Sequence, residues 1–309
     1  MRSQGNGRKQ LVTPDIAIAR RDNLIGSLWM IAAMAAFAVE DSFIKFASET
    51  LPIGQVLVIF GAGGAILFAC LAWLNGDALY TPAVVSRPMR IRALFEITGR
   101  LFYGLAVAFT PLSAATVILQ ATPLVVVAGA AVVFGENVGW RRWAAVLIGL
   151  VGVVVIIEPG AESFSPLSIL ALLGMIGFAG RDLASRAAPA SISTQILGIY
   201  GFLSVVVAGV IFSLWEGAAF LRPSAEVSLC LLGAILAGVV AYASLMKAMR
   251  TGEVSAVTPF RYSRLLFGIA LGVFVFGEQL SLSMIVGSGL IVLSGLFILW
   301  RGKRLSEGE

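Results

Sequence analysis

Apolar runs about 20 residues long, the length a helix needs to cross a bilayer, recur along the chain with only short polar punctuation between them. They fall at 24–46, 52–74, 91–110, 113–134, 141–158, 166–187, 192–215, 226–249, 255–276 and 280–300, which predicts ten transmembrane helices. The longer interruptions, NGDALYTPAVVSRP (75–88) and EGAAFLRPSAE (216–226), carry the proline, glycine and charge of loops. The expected fold class is therefore all-α integral membrane.

Composition agrees. Of 309 residues, 59% are hydrophobic and 13% charged, with a mean hydropathy of +0.95; soluble domains carry about 25% charged residues. The chain has no histidine, which excludes Ser-His-Asp nucleophiles, imidazole metal sites and histidine proton relays. Cys70 and Cys230 lie inside apolar runs and read as packing residues. No cofactor, no metal and no catalytic residue is expected. The first 23 residues, MRSQGNGRKQLVTPDIAIARRDN, are polar and basic without the apolar stretch of a signal peptide, and read as a disordered cytoplasmic tail.

Lys and Arg are distributed unevenly. One side of the expected helices receives Arg2, Arg8, Lys9, Arg20, Arg21, Arg87, Arg90, Arg92, Arg141, Arg142, Arg186, Lys247, Arg250, Arg301, Lys303 and Arg304; the other receives Arg222 and, at a helix end, Lys45. The positive-inside rule then puts both termini in the cytoplasm and requires an even number of spans. The net charge of +5 follows from these loops and calls for no nucleic-acid partner.

The two halves repeat. FGEN (134–137) recurs as FGEQ (276–279), and LSAAT (112–116) as VSAVT (254–258), both at an offset of 142. FAVEDSFIK (37–45) recurs as FAGRDLASR (178–186) at 141, which aligns Asp41 with Asp182, Lys45 with Arg186 and Glu40 with Arg181. The expected layout is a cytoplasmic tail (1–23), a first five-span repeat (24–158), a second (159–300) and a C-terminal cytoplasmic tail (301–309). An odd number of spans inverts the second repeat relative to the first, a construction of secondary transporters whose substrate site lies near the midplane between repeats. Two tandem five-helix halves, each closing its fourth helix with FGE, resemble the EamA-type carriers of the drug/metabolite transporter superfamily. The resemblance covers about residues 24–300. It implies a carrier of small metabolites in the bacterial inner membrane.

Charged side chains inside a span cost about 2.5–3.5 kcal/mol on insertion scales and usually face a cavity or a partner. Those within the expected spans or at their edges are Glu40, Asp41, Lys45, Glu96, Arg100, Arg181, Asp182, Arg186, Arg261 and Arg264, a set with a surplus of bases. Asp41–Lys45 and Asp182–Arg186 are i,i+4 pairs, read either as structural bridges or, with Glu40 and Arg181, as a gating or ion-coupling set. Glu96, Arg100 and Tyr103 share a stripe on the third span. Thr116 and Gln120 form another on the fourth, beside the helix-breaking Pro123. Arg261 and Arg264 flank Tyr262, with Gln120 aligned to Tyr262 and Thr122 to Arg264. The alternatives are snorkelling of Arg261 and Arg264 to the interface and ordinary helix–helix hydrogen bonding. The Ser42–Lys45 match to S-x-x-K has no companion motif and is a decoy. Glycines of spans two, five and ten suit close helix packing and allow a homodimer.

The expected substrate contacts are Arg100, Tyr103, Gln120, Tyr242, Tyr262 and Arg264: guanidinium for an anionic or polar group, tyrosine for stacking. The partners expected are a small-molecule substrate and the lipid bilayer. The TPFRYSRLLFG segment resembles that of bacterial EamA carriers that include riboflavin importers, which implies riboflavin uptake as the first substrate reading. An exporter of amino acids or related metabolites is the alternative, and a channel or non-transporting scaffold a distant one. The lack of any nucleophile or metal constellation argues against an intramembrane enzyme.

Overall fold

The computed structural model describes residues 12–109, 118–157, 166–276 and 281–304. Ten principal helices run through these segments: α1 (Val12–Ser48), α2 (Ile53–Leu74), α3 (Arg87–Phe109), α4 (Thr122–Phe134), α5 (Trp140–Ile157), α6 (Ser168–Arg186), α7 (Thr194–Glu216), α8 (Ala225–Arg250), α9 (Ser263–Phe276) and α10 (Leu282–Arg304). Each coincides with an expected span. Helix α1 starts at Val12, so residues 12–23, expected as disordered tail, extend the first helix instead.

Two expected spans are interrupted. The ninth, 255–276, divides into a helical turn (Val254–Val257), a 3-10 segment (Thr258–Tyr262) and α9. Pro259 sits in the first turn of the 3-10 segment, where its missing N–H rules out the ordinary helical bond. In the fourth span, residues 118–120 are helical, Ala121 turns, and α4 begins with Pro123 in its first turn. The threonine hydroxyl of Thr122 turns back to donate to the Leu119 carbonyl. Ala121 and Ser263, the residues before α4 and at the start of α9, are separated by the 142-residue repeat offset. The two breaks are therefore counterparts.

Helix packing follows the same symmetry. The most intimate pairings are α1 with α8, α3 with α6, α2 with α7 and α5 with α10; α4 also packs on α6, and α9 on α1. Advancing each helix by five positions exchanges α1–α8 with α6–α3 and α4–α6 with α9–α1, and returns α2–α7 and α5–α10 to themselves. That is the contact pattern of two inverted five-helix repeats related by a two-fold axis. Glycine permits the closest approaches. A Cβ at Gly177 on α6 would lie 2.5 Å from the Gly99 Cα on α3, and one at Gly152 on α5 would lie 2.7 Å from the Gly287 carbonyl oxygen on α10. These glycines are occupied by packing within the chain.

Six helices, α1, α2 and α5 to α8, are long and apolar enough on their own to cross a membrane, among the described residues. The outer surface is apolar, and several charged side chains are buried within the core. Ile66, Trp73, Val132, Leu214, Leu229 and Phe274 stand on the outer surface, whereas Glu40, Arg92, Glu96, Arg181 and Asp182 are buried. A water-soluble protein arranges these types the other way round.

Candidate functional site

The buried charges converge where the two interrupted helices face α1, α3 and α6. Residues of all five elements line one cavity of about 130 Å³: Met34, Phe37, Glu40 and Asp41 from α1, Arg100 and Tyr103 from α3, Gln120, Thr122 and Pro123 at the start of α4, Phe178 and Arg181 from α6, and Arg261 and Arg264 around the start of α9. A larger recess of about 360 Å³ lies between α3, α4 and α6, but its walls, such as Phe95, Val125, Val132 and Ile176, are apolar and it holds none of the charges.

Ion pairs knit the cavity walls together. Glu96, with no exposed surface, accepts from Tyr242 Oη at 3.1 Å and Arg181 Nη1 at 3.3 Å, and lies 3.6 Å from Arg100 Nε. Arg181 also pairs with Asp182 at 2.8 Å, and Asp182 accepts in addition from Arg261. Arg264 grips Asp41 with two nitrogens, Nε at 2.9 Å from Oδ2. The Asp41–Arg264 pair joins α1 to α9, and Glu96–Arg181 joins α3 to α6; both couple the first repeat to the second. Guanidinium groups also cover the rings: Arg100 and Arg181 lie 5.8 Å and 5.1 Å from the Phe178 ring, and Arg264 lies 5.1 Å from the Phe37 ring.

Among the expected substrate contacts, Arg100, Tyr103, Gln120 and Arg264 line this cavity. Tyr242 and Tyr262 do not. Tyr242 is 2% exposed and packs among Phe68 and Phe202 with its hydroxyl engaged by Arg92 and Glu96. Tyr262 is turned by the 3-10 segment towards α5, where its hydroxyl donates to the Val146 carbonyl at 3.1 Å. Of the expected gating set, Glu40, Asp41 and Arg181 line the cavity and Asp182 backs it. Lys45 is exposed at the end of α1, and Arg186 points to the Met249 carbonyl at 3.4 Å. The expected i,i+4 bridges give way to other pairs: Asp41 bonds Arg264 and Asp182 bonds Arg261, because the interrupted ninth span brings its guanidinium groups inward, and Asp182 also bonds its sequence neighbour Arg181. Arg261 and Arg264 each turn to a carboxylate, Asp182 and Asp41 respectively. Thr116 lies outside the described residues. With Lys45 and Arg186 away from the cavity, the members of the expected charged set that remain around it balance: Glu40, Asp41, Glu96 and Asp182 stand with Arg100, Arg181, Arg261 and Arg264.

Sequence reading missed Arg92, which it assigned to the basic surface. Its side chain has no exposed surface and donates to Ser185 Oγ at 2.9 Å, to the Leu197 carbonyl at 3.0 Å and to Tyr242 Oη. It ties α3 to α6, α7 and α8 next to the cavity network.

A second polar cluster closes the face on which α1 begins and α10 ends, called here the terminal face. Phe134 ends α4, and Gly135 follows in the left-handed conformation (φ 65°), a helix stop natural to glycine. The next residue, Glu136, accepts from the backbone N–H groups of Val254 and Ser255 at 2.9 Å and 3.0 Å. Arg142 pairs with Glu253 and donates to Ser255 Oγ at 2.6 Å, while Asn23 Oδ1 accepts from the Glu253 N–H at 2.7 Å. The first FGE motif thus stops its own helix and caps a helical turn of the other repeat. In the second copy, Gly277 and Glu278 lie outside the described residues.

The sequence pattern of the EamA-like transporter family matches residues 24–158 and again 166–300. The chain belongs to the EamA-like transporter family. It is 25% identical to an S-adenosylmethionine uptake transporter of Rickettsia prowazekii (strain Madrid E) over 93% of this chain and 96% of that one. It is 26% identical to a riboflavin transporter of Vibrio cholerae serotype O1 (strain ATCC 39315 / El Tor Inaba N16961), over 91% and 95%. It is 25% identical to the pseudopaline exporter CntI of Pseudomonas aeruginosa (strain UCBPP-PA14), over 90% and 97%. A crystal structure of 18% sequence identity superposes with a TM-score of 0.77 over 92% of this chain and 99% of that one, which is evidence for the fold.

Proposed function

We propose that this EamA protein is a secondary carrier that moves a small polar metabolite across a bacterial inner membrane by alternating access, with its termini in the cytoplasm and its two repeats rocking about the charged cavity. The observation that carries this reading is the cavity's position at two symmetry-related helix breaks, with ion pairs from both repeats in its walls. Discontinuous helices at a repeat interface are how such carriers expose polar groups to a substrate. At about 130 Å³ the cavity is smaller than the roughly 300–1,000 Å³ of small-molecule sites. A substrate the size of a flavin therefore requires the walls to part.

The three relatives carry different solutes and include both uptake and export. Riboflavin uptake, the reading from the sequence resemblance, is supported by the Vibrio relative and by the stacked guanidinium and phenyl groups around Phe178. Export of amino acids or related metabolites is supported by the ionic character of the walls. The test is counterflow in proteoliposomes with labelled riboflavin, S-adenosylmethionine and a panel of L-amino acids. Saturable exchange of at least one solute is expected. Unsaturable flux would indicate a channel, and no flux of any probe would return the protein to the class of scaffolds.

A further inference from the structure

We infer that Glu40 and Arg100 are the two poles of the substrate site, and that the solute is one bearing a cationic centre for Glu40 and a carboxylate for Arg100. The inference rests on the carrier reading and adds to it the chemistry of the cargo.

Six of the eight charges around the cavity are satisfied by one another: Asp41 with Arg264, Asp182 with Arg261, and Glu96 with Arg181. Two are left. Glu40 is 2% exposed, sits on the cavity wall, and has no ion pair among the described residues; its buried Oε2 has no hydrogen-bond partner. The glycine opposite it on α8 leaves room for the carboxylate, since a Cβ at Gly238 would stand 3.2 Å from Glu40 Oε2. Arg100 lies on the wall from α3 with its Nε lacking a hydrogen bond, and its nearest carboxylate oxygen is 3.6 Å away on Glu96, which already serves Arg181 and Tyr242.

A carboxylate buried without a partner is costly, and the cost is removed either by a proton or by a ligand that brings a positive charge in good geometry. Structural ion pairs do not explain Glu40. Its counterpart in the second repeat, Arg181, is held by two acids, so the fold satisfies one member of the symmetric pair and leaves the other unpaired beside the cavity. One unpaired acid on α1 and one base on α3, held only loosely by Glu96 at 3.6 Å, select for a solute with both charges. They reject a solute lacking either, because the unmatched pole would be sealed in without a partner.

The experiment uses the full-length protein in proteoliposomes and competition counterflow. A panel of L-α-amino acids, S-adenosylmethionine and riboflavin is screened first. Each solute exchanged is then compared with its decarboxylated amine and its desamino acid. The wild type is expected to hold both analogues about tenfold or more weakly than the parent. Glu40→Gln should erase the preference for the parent over the desamino acid, and Arg100→Gln its preference over the amine, with thermal melts confirming folded variants. The wild-type analogue series decides the matter even if a variant fails to fold. Exchange of riboflavin alone overturns the inference and leaves the carrier reading intact, whereas exchange of no probe removes both. Analogues that compete as well as their parents, or a folded Glu40→Gln that keeps its discrimination, also overturn it.

Discussion

Glu136 of the first repeat caps Val254 of the second, its carboxylate accepting the Val254 N–H at 2.9 Å and the Ser255 N–H at 3.0 Å. This contact crosses the terminal face, and Arg142–Glu253 and Asn23–Glu253 reinforce it. A carrier that alternates must break such contacts each time this face opens. Loss of a cap is worth about 0.5–2 kcal/mol. Glu136→Ala is therefore expected to favour the terminal-face-open state by up to about 30-fold. The measurement replaces Cys70 and Cys230 with serine, introduces Gln120→Cys in the cavity, and follows labelling by an impermeant maleimide from the terminal side of oriented vesicles. Faster labelling in Glu136→Ala is the expected outcome; an unchanged rate would make the cap purely structural.

The contact also separates what the sequence discloses from what it hides. Ten spans and their duplication are local patterns, so apolar run length and the FGE repeat reveal them, even for α3 and α9, which the span criterion alone does not select. The role of Glu136 was hidden, because its partners are 118 and 119 residues away. Partner choice in the cavity was hidden for the same reason. Lys45 is the acceptable neighbour of Asp41 in sequence, but Arg264, 223 residues distant, takes the carboxylate once the 3-10 break turns it inward. Nothing in the sequence distinguishes Arg92 from Arg90, yet packing by α6, α7 and α8 buries the first and leaves the second exposed.

The Asp41–Arg264 pair lies at the cavity's edge, with side chains 50% and 36% exposed. Exposed pairs contribute about 0–1 kcal/mol to stability, so Arg264→Ala should insert and melt nearly as the wild type does. Its transport should fall sharply, because the pair links α1 to α9 across the repeats. Exchanging the charges, Asp41→Arg with Arg264→Asp, should restore much of the activity if the pair acts as a link. Failure of the exchange while both single variants are inactive would assign Arg264 a direct role on the solute.

Arg92 predicts the opposite balance. A hydrogen bond from a charged group contributes about 1.5–3 kcal/mol and a buried acceptor left unpaired costs about 1–3 kcal/mol, and Arg92 donates to three neutral groups on three other helices. Arg92→Leu should lower the apparent melting temperature in detergent far more than Arg264→Ala does. Arg92→Lys should recover only part of the loss, since one ammonium cannot reproduce the planar fork. Equal melting of Arg92→Leu and wild type would mean the network is not a stability element.

The orientation of the whole molecule is predicted from which face is basic. Arg87 and Arg90 at the start of α3, Arg141 and Arg142 at the start of α5, and Lys247 and Arg250 at the end of α8 all lie at the terminal face. Arg222, in the exposed segment between α7 and α8, is on the other side. Positive-inside bias acts on short connections and helix ends, as these are. A fluorescent protein fused after Glu309 should fold in the cytoplasm and fluoresce. Alkaline phosphatase inserted at Arg222 should be active, and the same enzyme inserted at Gly76 should be inactive. The three reporters together fix the sense of insertion, because an inverted chain would reverse all of them. Replacing Arg141 and Arg142 with glutamine tests the cause. It removes two charges from the retained side, so mixed reporter signals should emerge if these arginines help to set the orientation, and unchanged signals would leave that task to the basic N-terminus and the α3 arginines.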